Sequence, residues 1–119
     1  MARILVLTVT LLLSSSRVIG DDKPPAPLPR ADLDERIDKV LRGIINTGRA
    51  LHNEGDPAGC YRLFQGSLMI IAPLLDHRPE LKDGIEKGLK HAETLTDASD
   101  RAFALREVID IVRSTLRKK

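Results

Sequence analysis

Few residues in this chain have the type and spacing to do chemistry. The candidates are one cysteine (Cys60), three histidines (His52, His77, His91), scattered carboxylates and one cluster of Tyr61, Arg62 and Gln65. A thiol near a helix N-terminus is acidified by the helix dipole, so Cys60 could be a reactive thiol. It sits on an apolar segment, where a lone cysteine more often packs as a small hydrophobe, and packing is the expected role. With one cysteine there is no intrachain disulfide, no thiolate metal cage and no Cys-x-x-Cys redox or haem motif. No two histidines lie three or four residues apart, so none pair as metal ligands on one helix, and all three are expected to face solvent. Ser67, like Cys60, is predicted buried and lacks the glycines of a nucleophile elbow. Gly84-x-x-x-Gly88 follows no strand and is no phosphate loop, and no Glu-x-x-His motif supports a di-metal site. No catalytic set, metal or cofactor is therefore expected.

Tyr61 and Arg62 are the residues most suited to binding, since both types are enriched where interfaces carry their energy. Gln65 follows one helical turn later, and Arg101 and Arg106 join them if the last helix packs alongside. Such a patch would receive an acidic peptide or a carboxylate. The competing expectation is internal: Arg62 pairs with Asp110 or Glu107, and Tyr61 covers the edge of the core.

The elements that must position these residues read as helices throughout. No alternating strand pattern occurs. A first helix is predicted from near Asp32 to Glu54, with Leu33, Ile37, Val40, Leu41, Ile44, Ile45 and Leu51 on its apolar side. Gly55 is its stop, and Asp56-Pro57 caps the next start. A second helix from Pro57 to about Leu75 carries one charge, Arg62, so it belongs in the core or at an interface. Pro73 should kink or end its last turn. A third runs from Pro79 to about Leu95, with Gly84 and Gly88 leaving room for a neighbour. A fourth, capped at Thr96 or Asp97, keeps Ala98, Ala102, Leu105, Ile109, Val112 and Leu116 in register, with Phe103, Val108 and Ile111 widening the stripe. Asp34 with Asp38, and Glu86 with Lys90, are spaced as helix-surface pairs. Short connections make the product an all-α fold: a four-helix antiparallel bundle or two stacked helical hairpins.

The stretch from Leu41 to Leu74 resembles one tetratricopeptide repeat. The likeness lies in Gly48-x-x-Leu51, the Gly55-Asp56 turn, then Cys60, Phe64, Ser67 and Pro73. In that family small residues let two helices approach and an aromatic fills the groove between them. Ile44 stands where the family favours Trp and Leu51 where it favours Tyr, Pro73 comes one residue late, and the next 34 residues do not repeat the pattern. The resemblance implies a helical hairpin used for protein or peptide binding, without the concave surface of an array. The run from Gly59 to Gly66, with Arg101 to Arg106, also resembles small exported bacterial helical proteins of unknown function, which implies export and brings no activity.

The N-terminus supports export on its own. Met1-Ala2-Arg3 is a short basic start, Ile4 to Leu13 an uncharged apolar run, and Ser14 to Gly20 a polar segment ending in small residues. That order is a secretory signal peptide, with cleavage expected after Gly20 or, second, near Ser16. Ten apolar residues fall short of the roughly 20 that span a bilayer. Residues 21–30 hold four of the seven prolines and form a tether, and residues 31–117 form the helical domain.

The whole chain has 19 basic and 17 acidic residues. Residues 1–20 contain two of the bases, Arg3 and Arg17, and no acid, so 17 face 17 after cleavage. A neutral domain does not suit nucleic acid or an anionic membrane surface. The expectation is an exported, non-catalytic interaction or scaffold module, periplasmic or extracellular, without membrane insertion after cleavage. A protein or peptide partner and a homodimer are its expected assemblies. The alternative is a periplasmic small-molecule or metal carrier with its pocket in the bundle.

Overall fold

The structure, a computed structural model, describes residues 24–118; the signal peptide read at residues 1–20 and the first three residues of the tether lie outside them. Pro24 to Pro29 form no regular element and are exposed. Four helices follow: α1 (Arg30–Asn53), α2 (Pro57–Ile71), α3 (Pro79–Thr94) and α4 (Ala98–Arg117), with a 3₁₀ turn over Ala72–Leu75. No strand occurs among the described residues. The fold is all-α, a helical bundle, as the apolar spacing requires.

Local chemistry sets the boundaries. Gly55 takes φ 85°, the left-handed conformation that glycine adopts without a Cβ clash. Its N–H donates to the His52 carbonyl (3.1 Å) and that of Asp56 to the Leu51 carbonyl (2.9 Å), the paired closure of a Schellman motif. The Asp56 carboxylate then accepts from the Gly59 N–H (2.8 Å), and Pro57 opens α2. Pro73 has no N–H to continue the α-helical ladder, and the chain tightens into the 3₁₀ turn there. Pro79 opens α3, and Asp97 caps α4 through the Ser99 N–H (2.7 Å).

Helix α4 is the central element. It packs against α1, α2 and α3, whereas α2 and α3 barely meet and α1 and α3 have no contact. Its line Ala102, Leu105, Ile109, Val112 and Leu116 is buried along the whole helix. Leu41, Leu68, Leu75 and Ile85 complete the fully buried centre with Leu105, Ile109 and Val112. Asp38 of α1 reaches Arg113 of α4, and His52 of α1 meets Phe103 of α4, so these two helices run antiparallel. Two glycines set close approaches: a Cβ on Gly48 would overlap the Phe64 ring, and one on Gly88 would overlap Val108. Gly84 does not have this role, because nothing lies near where its Cβ would be.

Several apolar residues that the sequence assigns to the packed stripes face outward. Val40, Phe103 and Ile111 are 54%, 59% and 61% exposed, and Val108 is half-buried. Helix α2 buries Cys60, Tyr61, Phe64, Ser67, Leu68 and Ile71 but leaves Met69 and Ile70 outside, followed by Leu74 in the 3₁₀ turn. A helix touched by neighbours on one side cannot bury its whole circumference.

Candidate functional site

Four of the five predicted binding residues come together. The N-terminal half of α2 carries Tyr61, Arg62 and Gln65, and the first turns of α4 bring Arg101 across. Tyr61 is only 3% exposed. Its ring lies under two guanidinium groups, Arg62 at 5.2 Å and Arg101 at 5.5 Å from the centroid, both within cation–π range. Gln65 ties the group together: its amide N–H donates to the Tyr61 hydroxyl (3.2 Å) and its carbonyl accepts from Arg62 Nη1 (2.8 Å). Arg101 donates to the carbonyls of Leu95 and Glu93, closing the C-terminal end of α3 where a cation also meets the favourable end of the helix dipole. Gln65 thus bridges Tyr61 and Arg62, and Arg62 is exposed.

The acid expected to pair with Arg62 pairs with another arginine. Asp110 takes Nε of Arg106, at 3.2 Å from each carboxylate oxygen, because the two lie one turn apart on α4. Arg106 therefore stands apart from the tyrosine cluster. It borders a depression of about 250 Å³ between α1, α2 and α4, whose lining also includes Arg49, His52, Cys60, Phe64 and Phe103. The Phe103 ring meets His52 edge-on, with centroids 5.5 Å apart and planes at 63°. Cys60 and Phe64 form the floor, each 3% exposed. Burial pushes the Cys60 thiol above its usual pKa; Arg106 pulls the other way and Asp56 adds to the rise. A protonated, enclosed thiol is a poor nucleophile, which supports the packing role.

A buried polar contact lies elsewhere, and the expectation of three exposed histidines fails there. Asp34 is buried, 6% exposed, on the core side of α1. Its Oδ1 is 2.6 Å from His77 Nε2 and its Oδ2 accepts from Arg78 Nη2 at 2.8 Å. The His77 side chain is only 10% exposed. Burial would raise the Asp34 pKa, but the hydrogen bonds and charges of Arg78 and His77 outweigh it and hold the carboxyl below its usual range. The predicted Asp34–Asp38 surface grouping is thus broken up: Asp34 serves the loop before α3, and Asp38 accepts from Arg113 Nε (2.8 Å). The i,i+4 surface pairs on α1 and α3 are Glu35–Lys39 and Asp83–Lys87.

An aspartate on a histidine is half of a nucleophile-activating set, but no Ser, Thr or Cys side chain among the described residues hydrogen-bonds His77. The contact is a tie between α1 and the α2–α3 connection. A sequence signal for it existed: Asp34, Ile37, Leu41, Ile45 and Gly48 keep one helical spacing, so Asp34 occupies a buried position on the stripe. His91 is exposed and His52 half-buried. No group of three or more His, Cys, Asp or Glu among the described residues is placed to hold a metal ion. No protein-family model, curated protein or solved structure matches this chain.

Proposed function

We propose that this chain is an exported, non-catalytic interaction module that engages a partner protein through the outer face of α2. One observation carries the reading: Met69 and Ile70 at the end of α2 and Leu74 in the 3₁₀ turn after it are 60%, 69% and 47% exposed. Exposed Pro73 lies among them, and no charged side chain occurs between Leu63 and Leu75. Grouped exposed apolar side chains mark contact surfaces more often than scattered ones. The α1–α2 hairpin adds support, because Phe64 fills the space opened by Gly48, the packing through which the tetratricopeptide resemblance implies a peptide-binding hairpin. The basic start and apolar run of residues 1–13 support export.

The test is site-specific photo-crosslinking in an exporting bacterial host, with the probe at position 70 and a control probe at exposed Glu107. The reading expects the secreted chain to lack its first 20 residues or so and to give a discrete adduct from position 70. The adduct should disappear in Leu74→Glu. Equal labelling from positions 70 and 107, or an adduct indifferent to Leu74→Glu, refutes the α2 surface. An uncleaved, cell-retained chain refutes export.

A further inference from the structure

We infer that the depression between α1, α2 and α4 is a binding site for a small aromatic carboxylate. It is independent of the outer α2 face.

Its floor is apolar and closed, made by the buried side chains of Cys60 and Phe64. One lip is Phe103, an aromatic ring left 59% exposed, with its edge contact to His52. A flat ligand ring laid over this floor and against Phe103 would cover the exposed ring and gain the edge or offset contact that aromatic pairs prefer. The rim is cationic: Arg49 from α1 and Arg106 from α4 border the opening, and no Asp or Glu lines it. Arg49 makes no hydrogen bond or ion pair among the described residues. Arg106 commits only its Nε to Asp110, so its two terminal nitrogens stay free to donate. A carboxylate matches the guanidinium fork with two parallel hydrogen bonds, which a point charge or a neutral group cannot do as well.

Size narrows the class. At about 250 Å³ the space lies below the 300–1,000 Å³ typical of drug-sized ligands, which points to a single ring with one short acidic arm. A neutral hydrocarbon would leave both guanidinium groups unused, and a bare inorganic anion would leave the exposed Phe103 ring uncovered.

The test is titration of the full-length, ¹⁵N-labelled protein at neutral pH with phenylacetate, benzyl alcohol and acetate. Phenylacetate should give saturable amide shifts at Cys60, Phe64 and Phe103 with a Kd of about 1 mM or tighter. Benzyl alcohol, which lacks the charge, should bind at least about tenfold more weakly, the worth of one charge-assisted pair, and acetate, which lacks the ring, should bind at least about tenfold more weakly through the lost apolar contact. Arg49→Met, at an exposed and unpaired site, should weaken phenylacetate by about tenfold without loss of fold, and Phe103→Ala should weaken it likewise; Arg62→Ala should change nothing. Equal binding of benzyl alcohol, equal binding of acetate, shifts centred on Tyr61, or no saturable shift would each overturn the assignment.

Discussion

Removing the Asp34 carboxylate is expected to cost the fold about 2–4 kcal/mol. A hydrogen bond to a charged partner contributes about 1.5–3 kcal/mol, and the His77 contact, with both side chains at most 10% exposed, takes that full value. The Arg78 side chain is 29% exposed, so its share falls toward the 0–1 kcal/mol of a solvent-screened pair. In a domain of this size each kcal/mol moves Tm by about 4–8 °C, so Asp34→Ala should melt about 8–32 °C lower. Asp34→Asn preserves volume but not charge and should lose most of the same amount. Thermal and urea unfolding by circular dichroism would measure both, and a double-mutant cycle with His77→Phe should give a coupling of at least about 1 kcal/mol. The pH dependence follows from the depressed Asp34 pKa. The unfolded chain takes up the proton first, near the ordinary carboxyl value of 3.8. The stabilisation is therefore complete above that pH and is lost as pH falls toward the lower folded value. Asp34→Asn should lack this part of the acid limb. A loss under about 1 kcal/mol, or an acid limb unchanged in Asp34→Asn, would refute the idea that this carboxylate ties α1 to the loop before α3.

Four further outcomes are expected from unfolding experiments. Gly43→Ala, at an exposed position with nothing near the new methyl, should stabilise by about 0.5–1 kcal/mol through helix propensity. Gly48→Ala gains the same propensity but drives a methyl into the buried Phe64 ring, an overpacking cost of about 1–3 kcal/mol, so the net change should be destabilising; equal gains at both sites would contradict the close approach. Arg101→Ala should cost about 1–2 kcal/mol because it strips the α3 carbonyls and one face of Tyr61, whereas Arg62→Ala, at an exposed site, should stay within about 0.5 kcal/mol. Matching losses for the two arginines would mean that the cap on α3 contributes nothing. Asp97→Ala should cost about 1 kcal/mol through loss of the α4 cap, seen as a lower urea midpoint at constant m-value.

What was legible in the sequence was local. Gly55, Asp56-Pro57, Pro73, Pro79 and Asp97 act through their own backbone conformation or through an N–H two or three residues away, so their positions alone place the helix ends. The Asp34–His77–Arg78 tie joins residues 43 and 44 positions apart, and no local pattern reports that distance. What could have flagged it was an acid in the register of Ile37 and Leu41, a position that burial tolerates only with a partner. Arg62 does not meet Asp110 for a related reason: Arg106 lies one turn away on the same helix as Asp110 and needs no second element to reach it. Outward apolar residues such as Val40 and Ile111 were read as core because residue type says what a side chain tolerates, not how many neighbours its helix has.

That neighbour count explains where the molecule keeps its exposed apolar surface. Helix α4 touches all three other helices, so a full line of its residues is enclosed; α2 touches mainly α1 and α4, and Met69 only borders an open groove shared with Glu86, Leu89, Lys90 and Glu93 of α3. The segment Pro57–Leu75 is long and apolar enough to cross a membrane by composition, yet Cys60, Tyr61, Phe64, Leu68 and Ile71 are packed inside the domain. Withdrawing α2 into a bilayer would uncover the matching faces of α1 and α4, including the space that Gly48 leaves for Phe64. The physically cheaper way to satisfy Met69, Ile70 and Leu74 is to bring a partner to the folded bundle, because burial of that face then adds apolar contact without removing any.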